Sequence, residues 1–298
     1  MSQASQNRAL LFATAVLFST GGAAVKACSL SGWQTAGFRS GIAAVVLFLL
    51  LPGARRGWTF RTWLIGLAYA ATMILFVVAN KLTTSADAIF LQSTAPLYLL
   101  LLGPVVLRER ILKVDVVVIS AVAGGAILLL AGSETAAVTA PDPRRGNLLA
   151  LVAGVTWALT MTGFRWMAKR PSGKNSAEAA VIAGNVLAFV LCLPLAVPAR
   201  LTSITDMAVL VYLGVFQIAL AYMLLTRSLR YVPGIEAATL LLIEPVLNPV
   251  WSWAFHGEKP GALALAGGAA IIGITFAGTV WRLKFTGISR LQDIPIPD

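Results

Sequence analysis

PLYLLLLGPVVLRE (Pro96–Glu109) and PVLNPVWSWAFHGE (Pro245–Glu258) are each a proline, an apolar run of helix length and a glutamate thirteen residues on. A single offset of 149 residues lays one on the other. The residues before each proline follow the same register, ADAIFLQSTA (86–95) against IEAATLLLIE (235–244). Further out, Leu64-Ile65-Gly66 matches Tyr212-Leu213-Gly214, and FSTGGAAVK (18–26) matches WALTMTGFR (157–165), with a cation at the same place. A proline-interrupted apolar helix in corresponding places of two halves is the pattern of a transporter built from repeated bundles.

Composition sets the solvent. The chain is 58% hydrophobic and 12% charged, against about 25% charged in an average soluble domain. Uncharged stretches cover 9–25, 62–80, 88–107, 116–133, 146–164, 179–199, 207–226 and 260–281. Most approach the ~20 residues that cross a bilayer core as a helix. Two more spans carry isolated charges, 33–52 with Arg39 and 235–255 with Glu236 and Glu244. The sequence therefore predicts an all-α membrane protein of ten transmembrane helices, the first of them kept in place rather than cleaved as a signal.

The linker ETAAVTAPDPRRGN (134–147) is the one long polar break between helices. It predicts a first five-helix repeat over 8–133, a second over 148–284 and a cytoplasmic tail over 285–298. An odd number of helices per repeat inverts the second relative to the first, so the expected architecture is two inverted repeats around a central cavity. Most of the 23 cations fall in alternate loops, such as Arg55, Arg56 and Arg61, or Arg108, Arg110 and Lys113. The positive-inside rule then places both termini in the cytoplasm. The net charge of +11 is thus a topology signal and not a nucleic-acid surface.

At these residues the sequence resembles the drug/metabolite transporter superfamily, in its ten-helix EamA-type branch. Pro96 with Arg108-Glu109, Pro245 with Gly257-Glu258, and the Glu244-Pro245 pair carry the resemblance, which spans about 8–284. It is similar in particular to bacterial exporters of aromatic amino acids and paraquat. The resemblance implies a secondary transporter in the bacterial inner membrane that exports amino acids and similar small metabolites by alternating access. Two departures stand out: the first half has Ala95 against Glu244, and Arg108 against Gly257.

Glu244 is the sharpest candidate for a cavity residue, since a carboxylate in mid-membrane must face protein or water. Asn248 and Trp251 lie on its helix face. The alternative is that Glu244 caps backbone groups freed by Pro245 and Pro249. Pro96, Pro104, Pro245 and Pro249 are expected to act as gating hinges, with static kinks as the alternative. Trp157, central in the sixth helix, shares a face with Thr160 and either stacks on a substrate or packs in the core. Tyr98, Tyr69, Tyr222 and Gln217 either line the cavity or bond between helices.

The other tryptophans fall near helix ends as interfacial anchors. Lys26 is expected to snorkel, or else to meet a substrate carboxylate. Arg39 needs a partner or a route to water. Glu109 and Glu258 end their helices against the macrodipole, which predicts local partners such as Arg108, Arg110 or Lys259, or backbone donors of the next helix.

Cys28 and Cys192 are expected as ordinary buried residues. With one histidine, His256, no metal site and no cofactor is expected. No GxxxxGK[ST], HExxH or GxSxG motif occurs. An intramembrane enzyme and a channel remain the alternatives to a carrier. The expected partners are a small-molecule substrate and the bilayer, with no nucleic acid. The expected state is a monomer or weak homodimer; the Gly37–Gly41 (GFRSG) motif permits close helix contact and says nothing specific about dimerisation.

Overall fold

The computed structural model describes residues 3–56, 58–102, 113–132, 136–168, 177–198, 203–228, 231–232, 237 and 240–285. Among them, nine helical spans are long and apolar enough to cross a membrane. They are Gln6–Ala27, Gly32–Leu50, Phe60–Leu82, Ser85–Leu102, Lys113–Ala131, Pro143–Phe164, Ala177–Ala196, Ile204–Ser228 and Ala262–Trp281. Helix Ile243–His256 supplies the described part of the remaining span. In chain order it is the ninth, and Ala262–Trp281 is the tenth. The protein is an all-helical, multi-pass membrane protein.

Its surface is the inverse of a soluble protein's. Leu49, Val45, Phe60 and Phe255 stand exposed, while Thr35, Ser40, Thr72 and Asn80 are fully buried. Lipid accepts the apolar side chains, and polar groups turn inward because hydrocarbon offers them no hydrogen bonds. Thr72 Oγ1, for example, bonds Ala68 O and Thr156 Oγ1, both at 2.9 Å, joining the third and sixth spans.

The spans pack through small residues, as membrane helices do where no hydrophobic drive separates them from lipid. The Gly37–Gly41 motif is used inside the chain. A Cβ built on Gly37 would lie 2.8 Å from Cys192 Cβ, and one on Gly41 2.9 Å from the Phe189 ring. Both neighbours belong to the seventh span, so this motif seats the second span on the seventh. The third span packs on the sixth and seventh, and the fifth on the tenth.

The sequence pattern placed the fourth helix as one run over 88–107. The structure starts it earlier and divides it, into Ser85–Gln92 and Ala95–Leu102, with a turn at Ser93–Thr94. The ninth helix Ile243–His256 likewise begins after a turn at Leu242. Ser93 and Leu242 are themselves 149 residues apart. The repeat in sequence is thus a repeat of broken helices.

Candidate functional site

Each break fixes how its proline acts. Pro96 stands in the first turn of Ala95–Leu102, and Pro245 in the first turn of Ile243–His256. The first N–H groups of a helix have no internal partner, so a proline there forfeits no bond and presets φ for the helix. The backbone discontinuity precedes each proline. Pro249 is interior to the ninth helix, while Pro104 lies outside the described residues. At the fourth-span break, Ser93 Oγ donates to Ile89 O at 2.7 Å and Thr94 Oγ1 to Leu91 O at 2.6 Å. Gly154 of the sixth span admits the turn, since a Cβ there would be 3.1 Å from both Gln92 O and Thr94 Oγ1.

A polar cluster lies between the second, third, seventh and eighth spans. Arg39 is 1% exposed. Its Nη1 donates to Gln217 Oε1 and its Nη2 to Met73 O, both at 3.2 Å, with Met73 Sδ at 3.8 Å. Its Nε–H is buried without a partner. Gln217 is carried by a π-helical stretch, Tyr212–Leu220, a rare geometry concentrated at functional sites. Gly21 of the first span makes room for it, because a Cβ there would meet Gln217 Nε2 at 2.9 Å.

Beside Arg39, Tyr69 and Tyr222 meet edge to face, with ring centroids 5.2 Å apart, and Phe18 adds a third ring 5.1 Å from Tyr222. Asn185 Nδ2 donates to Tyr69 Oη at 3.2 Å. Trp157, half-buried, packs against the same cluster.

Glu244 occupies the first turn of the ninth helix, half-buried. That is where the helix dipole favours an anion. No side-chain cap bond is made at Leu242, the helix start.

The structure therefore brings together Tyr69, Tyr222, Gln217 and Trp157, while Glu244 stands at the start of the ninth helix. The other candidates lie elsewhere. Thr160 is buried and spends its hydroxyl on Thr156 O at 2.8 Å. Tyr98 is half-buried on the lower half of the fourth span. Asn248 is fully buried against the first span, where a Cβ on Gly22 would come within 2.6 Å of its Oδ1, and both its amide atoms lack partners. Trp251, on the same face, donates from Nε1 to Ser19 Oγ at 2.9 Å. That face of the ninth helix packs on the first span. Asn185 gave no signal in the sequence; Arg39 did, as a cation without a partner in sight.

A second cluster lies at the face that holds the inter-repeat linker. Lys26 and Glu258 form an ion pair at 2.7 Å, each side chain 4% exposed. Lys26 Nζ also donates to Thr83 O at 2.9 Å and Thr139 O at 2.5 Å. Glu258 Oε2 accepts from Ser85 N at 3.0 Å, which tethers it to the start of the fourth span. Gly257, at φ +67°, ends the ninth helix in the left-handed region. The following Glu258 N–H returns to Ser252 O at 3.4 Å, a C-cap that turns Glu258 back into the protein. His256 Nε2 pairs with Ala23 O at 2.8 Å.

Lys26 therefore does not snorkel: a buried counterion holds it. Glu258 finds its partners on the first and fourth spans, the Ser85 N–H being the backbone donor and Lys26 standing in place of Lys259. Nearby, Ser29 N donates to Asp206 Oδ1 at 2.7 Å, and Ser29 Oγ also bonds Asp206. Both cysteines are free. Burial pushes the Cys28 thiol up, away from the reactive thiolate.

An apolar groove of about 430 Å³ opens between the ninth and tenth spans, lined by Leu242, Ile243, Val246, Ile272, Gly273 and Phe276 among others. It offers carbon and almost no polar surface, so the polar clusters are the better place for a solute's charged groups.

Ten helices, paired breaks and a buried polar centre define a membrane carrier. The EamA-like transporter family matches residues 8–131 and 144–279, and the chain belongs to that family. It is a transporter rather than an enzyme. Curated relatives include the pseudopaline exporter CntI of Pseudomonas aeruginosa, from strains UCBPP-PA14 and PAO1. Each is 25% identical over 245 residues, covering 79% of this chain and 81% of the relative. A solved crystal structure superposes with a TM-score of 0.64 at 19% identity, over 97% of this chain and 99% of its own. That likeness concerns the fold alone.

Proposed function

We propose that the protein is a secondary transporter that exports amino acids, aromatic and other, and similar small metabolites across a bacterial inner membrane. One observation carries the reading: helix breaks at equivalent repeat positions, Ser93 and Leu242, together with a buried polar cluster that includes Arg39, Gln217, Tyr69 and Tyr222. Discontinuous helices give a carrier polar groups and joints in mid-membrane. The repeats run over 8–133 and 148–284, and the fourth and ninth spans bend at their breaks, with Pro96, Pro104, Pro245 and Pro249 as hinge residues. The exporter function of the Pseudomonas relatives supports outward movement of a small metabolite. The distribution of cations supports cytoplasmic termini, which makes the linker face, with its Lys26–Glu258 pair, the periplasmic one.

The test is counterflow. Purified protein in liposomes is loaded with each unlabelled amino acid, and uptake of the labelled one is followed with and without a proton gradient. Accumulation above protein-free vesicles is expected for at least one amino acid. No accumulation with any amino acid or common metabolite amine contradicts the substrate class. A cross-link between the broken turn of the fourth span and the sixth span is expected to stop counterflow; unchanged transport contradicts the hinges.

A further inference from the structure

We propose that Arg39 is the anchor for a carboxylate of the transported molecule. This rests on the transport reading and adds to it a residue and the group it holds.

The first support is what surrounds Arg39. The guanidinium is almost wholly buried, yet the groups that face it among the described residues are neutral. The third span supplies Met73 and Tyr69, the eighth Gln217 and Tyr222, and the seventh Cys192. Among the described residues no carboxylate pairs with it. Lys26, whose side chain is also buried, has Glu258 at 2.7 Å. Burial of a charge without a counterion is costly and is retained where it serves a function.

The second support is geometric. Arginine offers five N–H donors in a planar fork that matches a carboxylate. Here Gln217 and Met73 take one edge of the fork, while the Nε–H is buried and unused. A polar donor left unpaired in the interior is a place for an incoming acceptor. Gln217 rides on the π-helical stretch, and Gly21 leaves room for its side chain beside the guanidinium.

The third support is the aromatic neighbourhood. Tyr69 and Tyr222 meet edge to face, and Phe18 lies against Tyr222. These rings suit an apolar or aromatic remainder of a molecule whose carboxylate Arg39 holds.

The experiment is competition in counterflow, starting with phenylalanine, or with whichever amino acid the wild type carries best. The competitors are the free amino acid, its carboxamide and its N-acetyl derivative. In the wild type the carboxamide should compete at least about tenfold more weakly than the amino acid, the loss expected when a charged hydrogen-bond partner is missing. Arg39→Gln should abolish discrimination against the carboxamide and leave unchanged the preference between the amino acid and its N-acetyl form, both of which keep the carboxylate. Arg39→Lys, which keeps the charge without the fork, should keep the order of preference with weaker affinity.

A purely structural arginine predicts instead that Arg39→Gln lowers all three equally, and that result overturns the proposal. A wild type that carries the amino acid and accepts its carboxamide equally well also overturns it, while leaving the transport reading intact. Absence of counterflow with every amino acid sinks both.

Discussion

Among the described residues, the side chains of Lys26 and Arg39 are both buried, and they are buried differently. Lys26, near the linker face, meets Glu258 at 2.7 Å and two backbone carbonyls, and so joins the first and fourth spans, the linker and the end of the ninth helix. Arg39, deep in the second span, meets an amide, a carbonyl and a thioether, and no anion among the described residues. The first charge is satisfied by the protein itself. The second is satisfied only when something brings a carboxylate. The contrast separates a charge that holds the fold closed at one end from a charge that waits for a solute.

The largest effect should come from opening the satisfied pair. Glu258→Ala leaves Lys26 charged in the interior and Ser85 N–H without its acceptor, a loss of about 3–5 kcal/mol. Thermal unfolding in detergent measures it. Replacing both partners, Lys26→Met with Glu258→Leu, should recover most of that loss, because the desolvation cost disappears with the charges. A loss below about 1 kcal/mol for Glu258→Ala, typical of exposed pairs, would dissolve the contrast.

A smaller effect should follow from pressing on the centre. A Cβ on Gly184 would lie 2.5 Å from Tyr69 Cδ1 and 2.8 Å from Gly66 O. Gly184→Val should therefore cost about 1–3 kcal/mol by overpacking and displace Tyr69, with weaker binding in the same preparation. Tyr69→Phe removes the acceptor of Asn185 Nδ2, which keeps Val181 O at 2.9 Å. About 1 kcal/mol of stability should go with it, as for an ordinary hydrogen bond.

The smallest change in stability should come from Arg39→Met, despite the residue's complete burial. Relief of an unpaired mid-membrane charge, about 2.5–3.5 kcal/mol, offsets the lost bonds to Gln217 and Met73, about 1.5–3 kcal/mol. The net change should stay within about 1 kcal/mol. Lys26→Met, by contrast, strands Glu258 and should be strongly destabilising. Equal losses for the two substitutions would show that both cations are structural.

The same contrast marks how far the sequence could be followed. The spans were legible because each needs its own continuous apolar run. The expected 62–80 lies inside the observed Phe60–Leu82. The position of both helix breaks was legible in the 149-residue repeat, but their form was not. A proline can kink a helix or start one, and the neighbours of Ser93–Thr94, Gly154 among them, decide. The Lys26–Glu258 pair was hidden by distance along the chain. A cation and an anion 232 residues apart meet only once the first and ninth spans are side by side, so local partners were the better guess from sequence. Arg39 was legible as a problem, a charge in an apolar run. Its surroundings come from the third, seventh and eighth spans, and no motif links them. Asn248 shared a face with Glu244 as expected, yet the first span covers that face through Gly22.

Ligand-induced stabilisation of purified protein tests the central claim most directly, because a ligand that binds the folded state raises its unfolding temperature by mass action. The account predicts that a transported amino acid raises the unfolding temperature of the wild type and its carboxamide does not, and that neither stabilises Arg39→Met, although that variant unfolds near the wild-type temperature. Undiminished stabilisation of Arg39→Met by the amino acid would contradict it.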